Sequence, residues 1–429
     1  MMIQEINNGI NEILYSTILE NGLEVVVHPK KGFHSKYALF ATKYGSIDSD
    51  FIGLDGKRHK VPEGIAHFLE HKVFDMPDMD VFEEFSKIGA SANAYTNYFL
   101  TAYLFSCTKN FEKALDLLLD YVQTPYFYDE STEKEKGIIE QEIKMYDDNP
   151  EWRVQINLLK SLYHNHPIKD DIAGTVESIY DITTEELLTC YTTFYHPSNM
   201  VLYLVGDIDV DETIAFVESN QKKKEFIDGR EIEKFYPDEP STIVKEKHVE
   251  KMSVSMPIIT IGFKHKLPED TKELLINEIS LRIALDNIIG KSSNLYQEIY
   301  EMNLILDDFS YGSSINKDYS FTVLGGSSPN PEKLIDYLIP KLKDVVNSGI
   351  IKKDIERTRR KYIGQFIMGS DSLGAAANRY ISYKVRGMEF AQYFDILNSV
   401  DEETINIVLR EMMDFDKIAI SIVDKRVAL

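Results

Sequence analysis

The segment Gly64-Ile-Ala-His-Phe-Leu-Glu-His-Lys-Val-Phe74 decides how the rest of this 429-residue chain is read. His67, Glu70 and His71 stand at i, i+3 and i+4, so on a helix two imidazoles and a carboxylate share one face. Ile65, Phe68, Leu69, Val73 and Phe74 supply the apolar neighbours that bury such a helix against a core. Two neutral nitrogen donors beside an acid suit zinc. With 10 His and 70 Asp plus Glu in the chain, an H-x-x-acid-H spacing arises by chance about 0.04 times.

A catalytic zinc takes three protein ligands and keeps one position open, so a third donor must come from elsewhere. The acidic helical stretch 133–150 offers candidates. Glu135 and Glu142 lie seven residues apart, nearly two helical turns, and face one side, whereas Glu140 projects elsewhere. Taken alone, this stretch reads as a charged, solvated helix; the upstream motif reverses that preference.

The chain carries 47 Lys plus Arg against 70 Asp plus Glu, a formal net charge of −23, and this acidity excludes a nucleic-acid binder that must neutralise phosphates. At 43% hydrophobic residues the composition is that of a folded protein. Two cysteines, Cys107 and Cys190, cannot build a disulfide framework or a thiolate cluster, which points to a reducing compartment. The first 22 residues lack a basic segment followed by an apolar one, and no run approaches the roughly 18 apolar residues of a membrane span. The expected location is cytoplasmic, with no membrane span.

Strand-like runs at 14–19, 23–28 and 38–44, with Asn21-Gly22 as a turn, open the first half, and a β-rich run at 200–205 followed by a helix at 211–218 closes it. The second half opens with a strand at 254–263, passes through helical patterns at 272–288, 331–346 and 353–367, and closes with a strand at 418–423. Between them lies a lysine- and proline-containing stretch without hydrophobic periodicity. The expected organisation is therefore a first domain at 1–220, a linker at 221–250 and a related second domain at 251–429, an α+β unit used twice. Gly325-Gly326 reads as a turn and 312–314 as loop.

Gly64–Phe74, the Asn93-Ala-Tyr-Thr96 segment and the Glu135/Glu142 pair resemble the catalytic half of the pitrilysin-type zinc peptidases, the inverzincins that include the mitochondrial processing peptidase and insulin-degrading enzyme. The resemblance implies two homologous α/β halves, each a mainly antiparallel sheet covered by helices, together forming half of a clamshell. It implies a zinc metalloendopeptidase acting on peptides or unfolded segments, with His67, His71 and Glu142 as ligands of Zn2+, Glu70 as general base and Glu135 orienting a ligand. Glu140 is the alternative third ligand. Asn93, Ala94, Tyr95 and Thr96 would present a strand edge on which the peptide substrate pairs.

The second half departs from the pattern. Family members acting alone carry an Arg in a helix and a Tyr in the strand that follows; here Tyr300 stands at the Arg position and Leu306 or Asp307 near the Tyr position, with Tyr311 available after a register shift. The resemblance then implies a paralogous peptidase subunit, in a heterodimer, or a homodimer, to supply those contacts. The alternative is a substrate-binding subunit without activity of its own.

Overall fold

The computed structural model describes residues 2–77 and 79–426. Along the first half run strands β1 (Gln4–Asn7), β2 (Ile13–Ile18), β3 (Glu24–Pro29), β4 (Lys36–Thr42), β5 (Asp50–Ile52), β6 (Arg58–Lys60), β7 (Ala90–Thr96), β8 (Thr101–Cys107) and β9 (Met200–Gly206). Its helices are α1 (Ile65–Val73), α2 (Val81–Lys87), α3 (Phe111–Val122), α4 (Asp129–Asp147), α5 (Pro150–Leu162), α6 (Val176–Asp181), α7 (Thr184–Phe194) and α8 (Val210–Gln221). The second half contributes β10 (Lys247–Met252), β11 (Ile258–Lys264), β12 (Ser310–Ile315), β13 (Ser320–Ser327) and β14 (Ile418–Lys425). Its helices are α9 (Thr271–Ile289), α10 (Asn294–Glu301), α11 (Pro331–Ser348), α12 (Lys352–Ser370), α13 (Leu373–Val385), α14 (Gln392–Ser399) and α15 (Glu402–Met412).

The chain divides into two compact units, one of Met1–Ile143, Asp171–Phe235 and Ile367–Ala391, the other of Lys144–Asp170, Tyr236–Phe366 and Gln392–Leu429. The first holds a seven-stranded sheet ordered β1-β2-β3-β9-β4-β8-β7, the second a five-stranded sheet ordered β10-β14-β11-β13-β12. From β3 onward the two orders are the same. In each, the opening strand lies parallel to the closing one, β3 to β9 and β10 to β14, and the other pairs run antiparallel. The expected doubling of one α+β unit is thus present at the level of strand order.

The two units do not follow the expected succession of 1–220, linker and 251–429. Helix α5, from the first half of the sequence, packs on β14, β11 and β10, and α13, from the second half, packs on β4 and β9. The reason is that each sheet has two apolar faces. In the first unit Val25, Val27, Phe40, Phe105, Leu202 and Leu204 meet Phe68, Leu69, Leu118 and Leu119 on one face. Val26, Leu39, Ala41, Val201 and Tyr203 meet Leu373, Ala377, Tyr380 and Ile381 of α13 on the other. A sheet covered on both faces needs that second helix, since each fully buried large side chain contributes about 1.5–3 kcal/mol.

The connection expected at 221–250 is held to both units. Ile52 N–H donates to Glu233 O at 2.9 Å and Phe235 N–H to Asp50 O at 2.8 Å within the first. Within the second, Glu239 accepts the backbone N–H groups of His164, Asn165 and His166 at 2.7–2.9 Å and Lys264 Nζ at 2.5 Å. Its end is the strand β10, whose alternating half-buried and exposed residues and pairing with β14 alone among the described residues mark an edge strand; its charges hid it in the sequence. Gly325 and Gly326 lie inside β13 and Gly312 inside β12, not in turns. Gly325 is needed there because a Cβ would sit 2.5 Å from Ile259 O on the neighbouring strand.

Gly64 caps α1 with φ +86°, and a Cβ there would lie 2.4 Å from Ala173 O. Gly64→Ala is therefore expected to cost at least about 2 kcal/mol, read as a lowered thermal midpoint; an unchanged midpoint would contradict the packing described. Burial would raise the Glu239 carboxyl, but its hydrogen bonds from Lys264 and three backbone N–H groups hold it down at about 2 against an ordinary 4.5. Its stabilisation is present above pH 4.5 and fades as pH falls toward 2. Glu239→Gln should lose roughly 1–2 kcal/mol at pH 7 and little near pH 2, measured by denaturant unfolding at several pH values.

Candidate metal centre

Helix α1 buries Ile65, Phe68, Leu69 and Val73, and this packing fixes the opposite face that carries His67 and His71, whose ring centroids are 4.7 Å apart. Helix α4 buries Thr132, Lys136, Ile139 and Ile143, which turns Glu135 and Glu142 toward α1. Glu142 Oε1 lies 3.7 Å from His67 Nε2 and Glu142 Oε2 lies 3.5 Å from His71 Nε2. One donor atom from each of His67, His71 and Glu142 lies within 4.8 Å of the other two, which makes a possible metal site. Glu135 Oε1 accepts from His71 Nδ1 at 2.9 Å, which leaves Nε2 as the ring nitrogen on the Glu142 side. Glu140 does not join them; its Oε2 accepts from Tyr180 Oη at 2.6 Å.

The donor set fits zinc. Ligands at the usual zinc distances on a tetrahedron stand about 3.4 Å from one another, close to the two nitrogen-to-oxygen separations here. Two imidazoles and one carboxylate leave a fourth position open, the composition of a catalytic zinc site and not a structural one.

Glu70 is buried, 8% exposed, and its Oε2 accepts from Thr96 Oγ1 at 2.6 Å. Thr96 Oγ1 is 3.1 Å from Thr101 Oγ1, which donates to Tyr44 O at 3.0 Å. Burial raises the Glu70 pKa, the Thr96 hydrogen bond and His71 oppose this, and Glu142 adds to the rise. Burial and then His71 push His67 down to about 3, so its ring is neutral. For His71, burial is outweighed by Glu135, Glu70 and Glu142, and its pKa is raised.

Strand β7 is the edge of its sheet, pairing with β8 alone among the described residues. The four residues read as substrate-binding do not act alike. Ala94 packs on the face under α1 and Thr96 turns to Glu70, Asn93 is exposed, and Tyr95 lies on the far face, donating to Asn378 Oδ1. Thr101 and Tyr44 were not legible as site residues: a threonine in a strand signals nothing until its partner is known. In the second unit Tyr300 is an exposed residue of α10, and Leu306 and Asp307 lie in the connection before β12. Tyr311 is the tyrosine on the strand, donating to Asp286 Oδ1 at 2.7 Å.

A histidine helix packed on the edge strand of a mainly antiparallel sheet, on a unit built twice, is an architecture shared with known peptidases. The insulinase pattern, peptidase family M16, matches residues 56–176, and the pattern of the peptidase M16 inactive domain matches residues 181–362. The chain is 43% identical over 416 residues to the uncharacterized zinc protease YmfH of Bacillus subtilis, covering 96% of each. It superposes on the crystal structure of an M16-like peptidase from Alicyclobacillus acidocaldarius with TM-score 0.94 at 39% identity, covering 97% of this chain and 99% of that one. Pitrilysin shares the fold at TM-score 0.75 and 15% identity; the match covers 97% of this chain and 46% of pitrilysin. The chain belongs to peptidase family M16.

Equilibrium dialysis against zinc should give one ion per chain, and His67→Ala or Glu142→Ala should abolish tight binding. Glu135→Ala should keep the stoichiometry and weaken affinity about 10–100-fold; unchanged affinity would show that the His71–Glu135 bond does not tune the site.

Proposed function

We propose that this protein is a zinc metalloendopeptidase that hydrolyses peptides or unfolded segments in an enclosed chamber. The observation that carries the reading is the approach of His67, His71 and Glu142 within 4.8 Å of one another, with Glu70 beside them and bound to Thr96 instead of to the donors. When bound, zinc supplies a Lewis acid that polarises a peptide carbonyl and makes water acidic enough to ionise near neutral pH. His67 and His71, one neutral by burial and the other oriented by Glu135, would hold the ion with Glu142. Glu70 accepts the proton of the attacking water and passes it to the leaving amine; burial, by raising its pKa, moves it toward the range in which both transfers are efficient. Thr96 occupies one Glu70 oxygen, and the other would take the proton. The unpaired edge of β7 accepts substrate as an added strand, with recognition through backbone groups.

A second subunit, a paralogous peptidase chain or another copy of this one, completes the chamber in this reading. Two features support it: the match to about half of pitrilysin, and Tyr300 at the position where self-sufficient relatives carry Arg. Two unpaired, buried cysteines fit a cytoplasmic setting. The second reading, a substrate-binding subunit without activity of its own, is favoured by the same Tyr300.

The test is hydrolysis of an unstructured peptide pool by zinc-loaded wild type and Glu70→Gln, each purified alone. The amide keeps shape and ligands but takes no proton, so the rate should fall about 10²–10⁴-fold with zinc content unchanged. Equal cleavage by both would assign the activity to something else. A zinc-loaded wild type that cleaves nothing would favour the binding-only reading or an obligate partner. Thr96→Val should lower kcat about tenfold, the worth of one hydrogen bond to a charged group, and leave zinc stoichiometry at one.

A further inference from the structure

Lys72, next to His71 in sequence, is 0% exposed. Its ammonium donates to Ser131 Oγ at 2.5 Å and to the Asp75 carboxylate, and lies over the Tyr128 ring at 5.9 Å. Ser131 in turn donates to Tyr128 O at 3.2 Å, at the start of α4. Ser131, Glu135 and Glu142 stand at i, i+4 and i+11 on α4, one stripe along the helix. The buried ammonium therefore joins the last turn of α1 to the first turn of the stripe that presents Glu135 to His71 and Glu142 to both histidines.

Burying an ammonium costs several kcal/mol even when paired, and a methionine of similar length would fill the same space without that cost. What the lysine adds is direction. Apolar packing allows α4 to slide along or rotate against α1, whereas an ammonium held between a hydroxyl, a carboxylate and a ring has one position. A shift of α4 by a fraction of a turn would carry Glu142 out of reach of the histidines.

We propose that Lys72 is a positioning residue for the metal centre, its bond to Ser131 setting the register in which Glu135 and Glu142 meet His67 and His71. This rests on the metal-site reading above. The experiment measures zinc affinity of the full chain by competition with a chromophoric chelator, and the visible absorption of the cobalt-substituted protein. The variants are Lys72→Met, Ser131→Ala, Ser131→Thr and the double variant Lys72→Met/Ser131→Ala, with Glu142→Gln as the control for the site itself. Lys72→Met should weaken zinc about 10–100-fold and change the cobalt spectrum. Ser131→Ala should weaken it in the same direction, Ser131→Thr should bind as wild type because the hydroxyl is retained, and the double variant should be no worse than Lys72→Met alone. Wild-type affinity and spectrum in Lys72→Met would overturn the proposal. If Lys72→Met does not fold, the serine pair decides: equal affinity in the alanine and threonine variants overturns it. A wild type that binds no zinc, or a Glu142→Gln that binds as well as wild type, would overturn the underlying site instead, and the positioning role with it.

Discussion

Three carboxylates and two imidazoles crowd one side of α1, and that crowding is what the surrounding structure has to support. Glu70, Glu135 and Glu142 bring negative charge into a partly buried space in which His67 is held neutral by burial. Like charges in such a space repel strongly unless a cation or hydrogen bonds offset them. The hydrogen bonds are present for two of the three: Thr96 for Glu70 and His71 for Glu135. Glu142, facing the Nε2 atoms of both histidines, is the group for which a divalent cation is the natural complement.

The second unit repeats the strand order and resolves the same problem differently. Helix α9 packs on the edge strand β12 as α1 packs on β7. There the buried Asp286 receives Tyr311 Oη at 2.7 Å and Lys361 Nζ at 2.5 Å. A lysine of the chain itself neutralises the carboxylate, so this half needs no ion for its charge balance. Asp286, Tyr311 and Lys361 all lie within residues 181–362, which match the inactive-domain pattern. Tyr311 is also accounted for, as a partner of a buried acid on the strand where the sequence placed an uncertain tyrosine.

Much of the architecture was visible in hydrophobic patterning. Strands read at 14–19, 23–28, 38–44 and 200–205 fall on β2, β3, β4 and β9, and the long helices of the second half fall on α9, α11 and α12. What patterning could not give was cover. The strands are apolar on both faces, which says that something lies on each, but a helix carries no label for the sheet it will bury; hence α5 and α13 were assigned by sequence position to the wrong units. The edge strand β10 was missed because an exposed, charged strand has the composition of a loop, and Gly325 of β13 because a strand neighbour that demands glycine is invisible in one dimension.

At the metal centre the division has one physical reason. Groups within four residues on a helix have their relative geometry fixed by the helix itself, so His67, Glu70 and His71 were determined by the sequence as a set sharing one face. Seven residues of helix bring Glu135 and Glu142 to one side, but Glu133 and Glu140 share that spacing, so the sequence left the register open and the pair rested on the family resemblance. Which acid of α4 meets the histidines depends on how two separate helices pack, and only the tertiary structure could place Glu142 against the nitrogens, send Glu140 to Tyr180 and bring Thr96 to Glu70. Local spacing sets direction; distances across chain separations of 71 and 26 residues are set by packing, and packing is decided by the whole core.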